Sequence, residues 1–556
     1  MKNSNDNVQQ ASRITWDVIV IGTGMGGATL GHALAQAGKR VLFCERGKSH
    51  LASHEVIAGD YPEERLPRSA VEGDAEWRSL MQRGGRYVDQ VIDESRTRTS
   101  NFVPFIGSGT GGSSALYGMA LERFFPQDFT PRVSHPNATG TSLDDAWPVG
   151  HEALTPYYAA AERLYRVRGG GDPLRDAMHE GASDRSQPFE SAGLDPQAEA
   201  LFGFLQTKGL HPYRLPMACE ALPDCQSCQS VLCARQCKND AARICLAPAM
   251  ENHGACLLDE CAVLKIEADA SKVTGLICER HGQRIRFRGK SIVLAAGALQ
   301  TPNILLRSSS KEWPNGLANG SGMIGRNLMR HFIDLYLVQP ENALRGEFDN
   351  RQKGFAFNDF YVTADAKLGS VQSFGRLPPA PVLLDSMRHD IAHGPLPFLA
   401  HFLPFAKPFV LPVLNRLVNG TLALATIMED LPYLDNRVSP ADGDAAPATV
   451  RITYRIRPDD EKRIELFRKA MANALKPRHW RLIKQAHNNQ RIAHVCGTCR
   501  FGDDPATSVL DANNRAHELE NLYVADSSFF PSSGGTNPSL TIAANALRMA
   551  DAMATL

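Results

Sequence analysis

The chain has 556 residues, 43% hydrophobic and 22% charged; that is enough to bury a large core, most simply as two domains with interleaved segments, and it excludes wholesale disorder. Lys plus Arg equals Asp plus Glu at 60 each, so no net field draws in nucleic acid or anionic lipid. The opening run MKNSNDNVQQASRITWD has no apolar stretch and no twin arginine; it reads as a short polar tail, with a cytoplasmic location expected.

The first predicted elements lie in WDVIVIGTGMGGATLGHALAQAGKRVLFCERG, residues 16–47. DVIVI suits a strand buried on both faces. Gly22, Gly24 and Gly27 follow as G-x-G-x-x-G, then comes an Ala- and Leu-rich helix and a second strand ending at Glu45. Gly22 permits a tight turn, Gly24 lets backbone approach a pyrophosphate, and Gly27 lets helix and strand pack closely. The helix N-terminus offers N–H donors to phosphate, and Glu45 can accept from a ribose diol. The pattern predicts a dinucleotide site but does not separate FAD from NAD. A second glycine-rich run, GSGTGGSSALYGMALERFFPQDF, occupies 107–129 and contains Gly112, Ser113 and Ser114.

Six of the twelve cysteines then fall within 219–245. A reducing compartment disfavours disulfides. Cys225, Cys228, Cys233 and Cys237 run as C-x2-C-x4-C-x3-C, a local set able to wrap one site. Zinc ribbons bring two separated knuckles and this segment has one. Bacterial ferredoxins use C-x2-C-x2-C-x3-C-P; here the middle gap is longer and Lys238 replaces the proline. An iron–sulfur cluster, zinc and packed thiols all stay open.

SIVLAAGALQTPNILLRSS (291–309) predicts a strand, a turn at Gly297 and a helix opening near Thr301-Pro302. PLPFLAHFLPFAKPFVLPVL (395–414) is nearly long enough to span a membrane, but five prolines, His401 and Lys407 argue against a continuous helix in lipid. It reads as a buried or half-exposed loop, or as an apolar lid or contact patch carrying Phe398, Phe402, Phe405 and Phe409. Residues 434–456 predict hairpin-like strands, and PDDEKRIELFRKAMANAL (458–475) a helix with an acidic first turn. HVCGTCRFGDDPATSVLD (494–511) precedes NLYVADSSFFPSSGGTNPSLTIAANALRMAD (521–551), in which a strand ends at Asp526 and a helix begins near Ser539. Cys496 and Cys499 form a CxxC beside His494; packing is the favoured reading over a redox pair.

Together, GTGGSSALYGMALER, AWPVGHEALTPYYAAAE, GALQTPNILLRSS, NRV, HVCGT and SGGTNPSLT, in this order along the chain, resemble the glucose–methanol–choline (GMC) family of FAD-dependent alcohol oxidoreductases. Tyr117, where many members have Asn, and Ser309, where Gly is usual, depart from its signatures. The resemblance implies FAD. It makes His494 the base facing the flavin, and Asn537 the partner that orients the substrate hydroxyl without taking its proton. It further implies that Gly112, Ser113 and Ser114 lie along the isoalloxazine and pyrophosphate. Asp526 would accept from the ribityl or phosphate end, and the backbone at Asn537-Pro538 would support charge at the flavin N1–C2=O edge. Cys228, Cys233 and Cys237 resemble a C-x4-C-x3-C run of the family's membrane-associated bacterial sugar dehydrogenases, which points to a 3Fe–4S or 4Fe–4S cluster.

The expected fold is α/β: a discontinuous Rossmann-type FAD-binding domain (14–165, 240–335 and 490–556), a cysteine-rich connecting segment (166–239), and an α+β substrate domain with an antiparallel sheet (336–489). The expected reaction is FAD-dependent oxidation of a primary or secondary alcohol, whether sugar-like, aminocyclitol or apolar. Its electrons would go to a protein, quinone or other acceptor that is not NAD. No nucleic-acid partner and no transmembrane segment are expected. The rival is a flavin-containing lyase of the same fold, like the hydroxynitrile lyases.

Overall fold

DVIVI becomes part of β1 (Thr15–Ile21), whose central residues are buried as those of an inner parallel strand must be. The computed structural model describes residues 4–51, 55–67, 70–177, 193–220, 222–223, 225–341, 353–392, 396–443, 445–490, 492 and 494–555. β1 pairs in parallel with β2 (Val41–Cys44) on one side and with the second half of β9 (Gln283–Leu294) on the other. β6 (Cys256–Leu258) extends this parallel sheet beyond β2, and β17 (Leu522–Val524) pairs with β9. The first half of β9 enters an antiparallel meander with β8 (Val273–Arg280) and β7 (Cys261–Ala268). Helix α1 (Met25–Gln36) follows β1, and the C-terminal helix α6 (Ser539–Ala554) packs across it. Three distant stretches of sequence therefore meet in one Rossmann-like layer.

A second sheet is antiparallel, with strand order β16 (Trp480–Ile483), β10 (Phe332–Val338), β13 (Leu422–Met428), β12 (Gly369–Ser373), β11 (Phe355–Phe357) and β5 (Tyr213–Arg214). The sequence-designated helix forms over its full length as α5 (Pro458–Leu475), and Ile464, Phe467, Met471 and Leu475 carry its apolar stripe into the core of this layer. The fold is thus the expected α/β arrangement with an antiparallel second sheet.

Four placements differ from the sequence reading. The "polar tail" contains a helix, Ser4–Arg13, whose Val8 and Ala11 are buried against the first core, while Ala11 accepts from the Trp16 indole N–H. The 434–456 strands, β14 (Arg437–Pro440) and β15 (Val450–Thr453), pair with each other but not with the second sheet. They join β3 (Val91–Asp93) and β4 (Ser100–Phe102) in a four-stranded sheet between the layers. The 166–239 stretch supplies β5 to the second sheet and helix α2 (Pro196–Thr207) to its core. Residues 397–414 are helical: a short turn, Pro397–His401, leads into α4 (Leu403–Asn419), which lies against α3 (Ala380–Ala392). Pro404 sits in the first turn, where its missing N–H costs nothing. Pro408 and Pro412 follow at intervals of four, so the lost ladder bonds fall on one stripe while the others hold.

Candidate active site

A cavity of about 330 Å³ opens beyond the C-terminal ends of β1, β9 and β17, bounded also by the glycine-rich 107–114 run and by Pro447 and Ala448. This is where a parallel sheet leaves a crevice for a ligand. Its wall includes Gly22, Gly24, Glu45, Gly112, Ser113 and Asp526. Cys44, Cys261, Tyr117, His494, Val495 and Pro538 also line it.

The glycine turn fits a pyrophosphate. Gly22 has φ +102, and a side chain there would collide with the Ala295 carbonyl on the neighbouring strand. A Cβ on Gly24 would meet nothing within 4 Å, so backbone is laid bare to the cavity at the N-cap of α1. Gly27 is buried in the first turn of that helix. Glu45 is buried and accepts from the Thr23 backbone N–H (3.1 Å), the Thr23 hydroxyl (2.7 Å) and the Gly47 N–H (2.8 Å). Burial pushes its carboxyl up, and these donors oppose the shift.

Asp526 lines the same cavity. One oxygen accepts from Gly297 N–H (2.9 Å) and the Thr301 hydroxyl, the other from Ser528 N–H (2.8 Å) and the Ser528 hydroxyl. Four donors occupy its lone pairs, so Asp526 clamps the turns after β9 and β17. The direct cofactor contact expected of it would require one of these donors to yield. Ser114 is likewise committed: its hydroxyl donates to Gly111 O (2.6 Å) and accepts from Ala241 N–H (3.0 Å). Ser113 accepts from Gly107 N–H (3.1 Å) and remains exposed in the wall.

His494 has φ +58, an uncommon backbone for a residue other than glycine, and stands in the cavity wall. Its Nδ1 lies 2.8 Å from Nδ1 of His331, a residue without a motif to mark it in the sequence. The other ring nitrogen of His331 lies 2.9 Å from Gly534 O and 3.2 Å from Ser533 O. Carbonyls accept only, so His331 Nε2 carries a proton. Burial pushes its pKa down to about 4, which leaves the ring neutral and Nδ1 a bare acceptor. His494 must therefore donate from Nδ1, and its Nε2 is an open lone pair without a partner among the described residues. Burial first, then the neighbouring His331 ring and the Lys353 ammonium, hold the pKa of His494 well below its usual value.

Asn537 is buried, and its amide donates to Gln372 Oε1 (2.9 Å). Gln372 in turn donates to Glu122 Oε2 (2.7 Å), which also accepts from the Thr536 hydroxyl (2.9 Å). Glu122, Gln372 and Lys353 were also absent from the sequence reading: they come from separate strands and loops, so no local spacing joins them. Burial pushes the Lys353 ammonium down to about 8, against the pull of Glu122. The loop before Asn537 is fixed from below. Gly535 N–H donates to the Tyr361 hydroxyl (2.8 Å), which donates to Asp128 (2.7 Å). Lys367 bridges Asp128 (2.6 Å) and Glu429 (2.8 Å) in the interior.

The designated metal ligands do not close on one point. They are thiols without disulfide bonds, joined by hydrogen-bond contacts: Cys219 and Cys225 sulfurs are 3.8 Å apart, and Cys225 contacts Cys237, Cys237 contacts Cys233, and Cys233 contacts Cys228. The result is a string rather than a shell. It is tied to the cavity wall because Lys238 donates to Ala115 O (2.8 Å) and the Tyr117 hydroxyl to Asn239 O (2.6 Å). Among the described residues, three metal-binding atoms converge within 4.8 Å of one another at Cys44, Cys261 and Cys278, all buried. That dry trio is a donor set a soft cation would accept. Cys496 and Cys499 are free buried thiols, pushed up by desolvation as packing residues are.

Comparison with known proteins gives this site its context. Residues 205–333 and 432–546 match the N-terminal and C-terminal models of the GMC oxidoreductases. The chain is 31% identical to 6'''-hydroxyparomomycin C oxidase of Streptomyces lividus, over 97% of this chain and 91% of that one. It is 30% identical to paromamine 6'-oxidase of Streptomyces fradiae, with the same coverage. Pyridoxine 4-oxidase from Mesorbium loti superposes with a TM-score of 0.60 at 19% identity, covering 97% of this chain and 99% of the other. With this full-length similarity, the chain belongs to the GMC oxidoreductase family and acts on CH–OH groups.

Proposed function

We propose that the protein oxidises an alcohol carbon to a carbonyl with FAD held in the cavity between α1 and His494. The bare Nε2 of His494 carries this reading, since it is a neutral base facing the space where the glycine turn directs a dinucleotide. Bound FAD would supply the hydride acceptor. The chain would do the rest: Gly24 and the α1 N-terminus would receive the pyrophosphate, Glu45 the ribose diol, and Gly112 and Ser113 would flank the cofactor. His494 Nε2 takes the hydroxyl proton, while His331 Nδ1 fixes the donor on its far side. Asn537, with its amide N–H held by Gln372, would turn its carbonyl to a substrate hydroxyl; it sits next to Pro538 of the cavity wall.

The names of the two relatives support a hydroxymethyl group on an aminated sugar or aminocyclitol as substrate, and an acceptor other than a nicotinamide. The Cys225–Cys237 string does not converge as a ligand shell, so no electron route through an iron–sulfur cluster is derived. A panel of aminocyclitol, sugar and aliphatic alcohols mixed anaerobically with the yellow holoenzyme tests the reading. Bleaching by amino-sugar alcohols is expected. Bleaching by aliphatic alcohols alone would overturn the substrate class, and no bleaching by any alcohol would overturn the reaction.

A further inference from the structure

Helix α4 is apolar on both of its faces. Leu403, Val410, Leu411 and Leu414 pack inward against Leu383 and Leu384 of α3, and Leu417 and Val418 pack near β10 and β13. On the outside Phe405 is 80% exposed, Phe409 79%, Val413 63% and Phe402 61%, and Phe398 in the preceding turn is 55% exposed. Phe398, Phe402, Phe405, Phe409 and Val413 are spaced by four, three, four and four residues, so they form one continuous stripe. A surface helix normally turns charge outward, and a helix apolar all round belongs in a protein interior or in lipid. Exposed phenylalanines at this density have no role in a water-facing surface.

The local charge indicates what covers them. The balance of 60 against 60 hides an asymmetry, because residues 391–428 contain no Asp or Glu. Arg416, three residues past Val413, stands exposed at the end of the stripe, and Lys407 is exposed on another flank of α4. Apolar rings with flanking cations are the composition of a helix lying in the headgroup zone of an anionic bilayer. Crossing is ruled out for this segment: α4 has 17 residues, and no helix among the described residues is long and apolar enough to span a membrane.

We infer that the α3–α4 hairpin is a peripheral docking element whose phenylalanine stripe inserts into the interface of an anionic membrane. The placement has a consequence for the chemistry. Val382 of α3 packs against the Tyr61, Cys228 and Val231 cluster, so the inner helix of the hairpin rests on the cysteine segment that braces the cavity wall. Docking would bring that side of the protein to a lipid surface without moving any residue of the site.

The test is flotation of full-length holoenzyme with vesicles of phosphatidylglycerol and phosphatidylcholine, against phosphatidylcholine alone, with molar mass measured by light scattering. The inference expects flotation on the anionic vesicles. The double variant Phe405→Ser/Phe409→Ser should lower partitioning by roughly 30-fold or more while keeping bound flavin and turnover of soluble alcohols. Lys407→Gln/Arg416→Gln should weaken partitioning several-fold at low salt only. Failure to float, with a dimeric mass that the Phe405→Ser/Phe409→Ser variant halves, would overturn the inference in favour of self-association. Failure to float as a monomer would overturn it outright. Flotation unaffected by the double variant would also overturn it.

Discussion

Replacing His331 by Phe probes the device that sets the tautomer of His494. A somewhat larger phenyl ring keeps the buried position aromatic but removes the acceptor 2.8 Å from His494 Nδ1 and the donor to Gly534. Holding the productive tautomer would then leave a buried N–H unpaired, at a cost of about 1–3 kcal/mol. At 1.4 kcal/mol per decade this is roughly a 5- to 150-fold loss in the rate of flavin reduction. His331→Gln offers an amide oxygen to the same N–H and should recover most of that rate. The assay is anaerobic stopped-flow bleaching of flavin across pH, on variants matched for bound FAD and melting temperature. A Phe variant that reduces its flavin at the native rate would refute the tautomer argument, as would a Gln variant no better than Phe.

Other expectations follow from the same geometry. His331 titrates near 4 in the folded chain against about 6.5 unfolded, so the unfolded state binds more protons between those values. Stability should therefore fall as pH drops from 6.5 toward 4, by about 3 kcal/mol from this group, and His331→Gln should flatten that part of a denaturant-midpoint profile. Lys353 helps hold the pKa of His494 down, so Lys353→Met should move the acid limb of the kcat/KM profile to higher pH; an unmoved limb would separate the two groups. Glu45→Ala removes the buried acceptor proposed for the ribose diol and should weaken FAD binding by roughly 10- to 100-fold, read by fluorescence titration of the apoprotein. Because the cysteine string does not converge, protein stripped of flavin should lack visible absorbance and iron; a brown apoprotein would reinstate a cluster.

The cofactor end was legible in the sequence because its chemistry is local. The strand, glycine turn, helix and acid of 16–47 sit in one βαβ unit, and a contiguous pattern reports a contiguous site. The 458–475 helix was legible for the same reason, through its period and its acidic first turn. What escaped was non-local. His331 acquires its role from a carbonyl pair two hundred residues away, and Gln372 and Glu122 meet Asn537 through three different elements. The strands of 434–456 were recognisable as a hairpin, but their partner β3 lies in the first hundred residues. The 395–414 stretch misled through its prolines. Their interval of four keeps the broken hydrogen bonds on one side of α4, a geometric point that composition does not carry.

The most direct measurement is the anaerobic rate of flavin bleaching by an alcohol substrate in His494→Ala holoenzyme, at native flavin content. If the imidazole takes the hydroxyl proton, bleaching slows by roughly 100- to 10,000-fold, with flavin binding unchanged. Bleaching at the native rate in that variant would contradict the account at its centre.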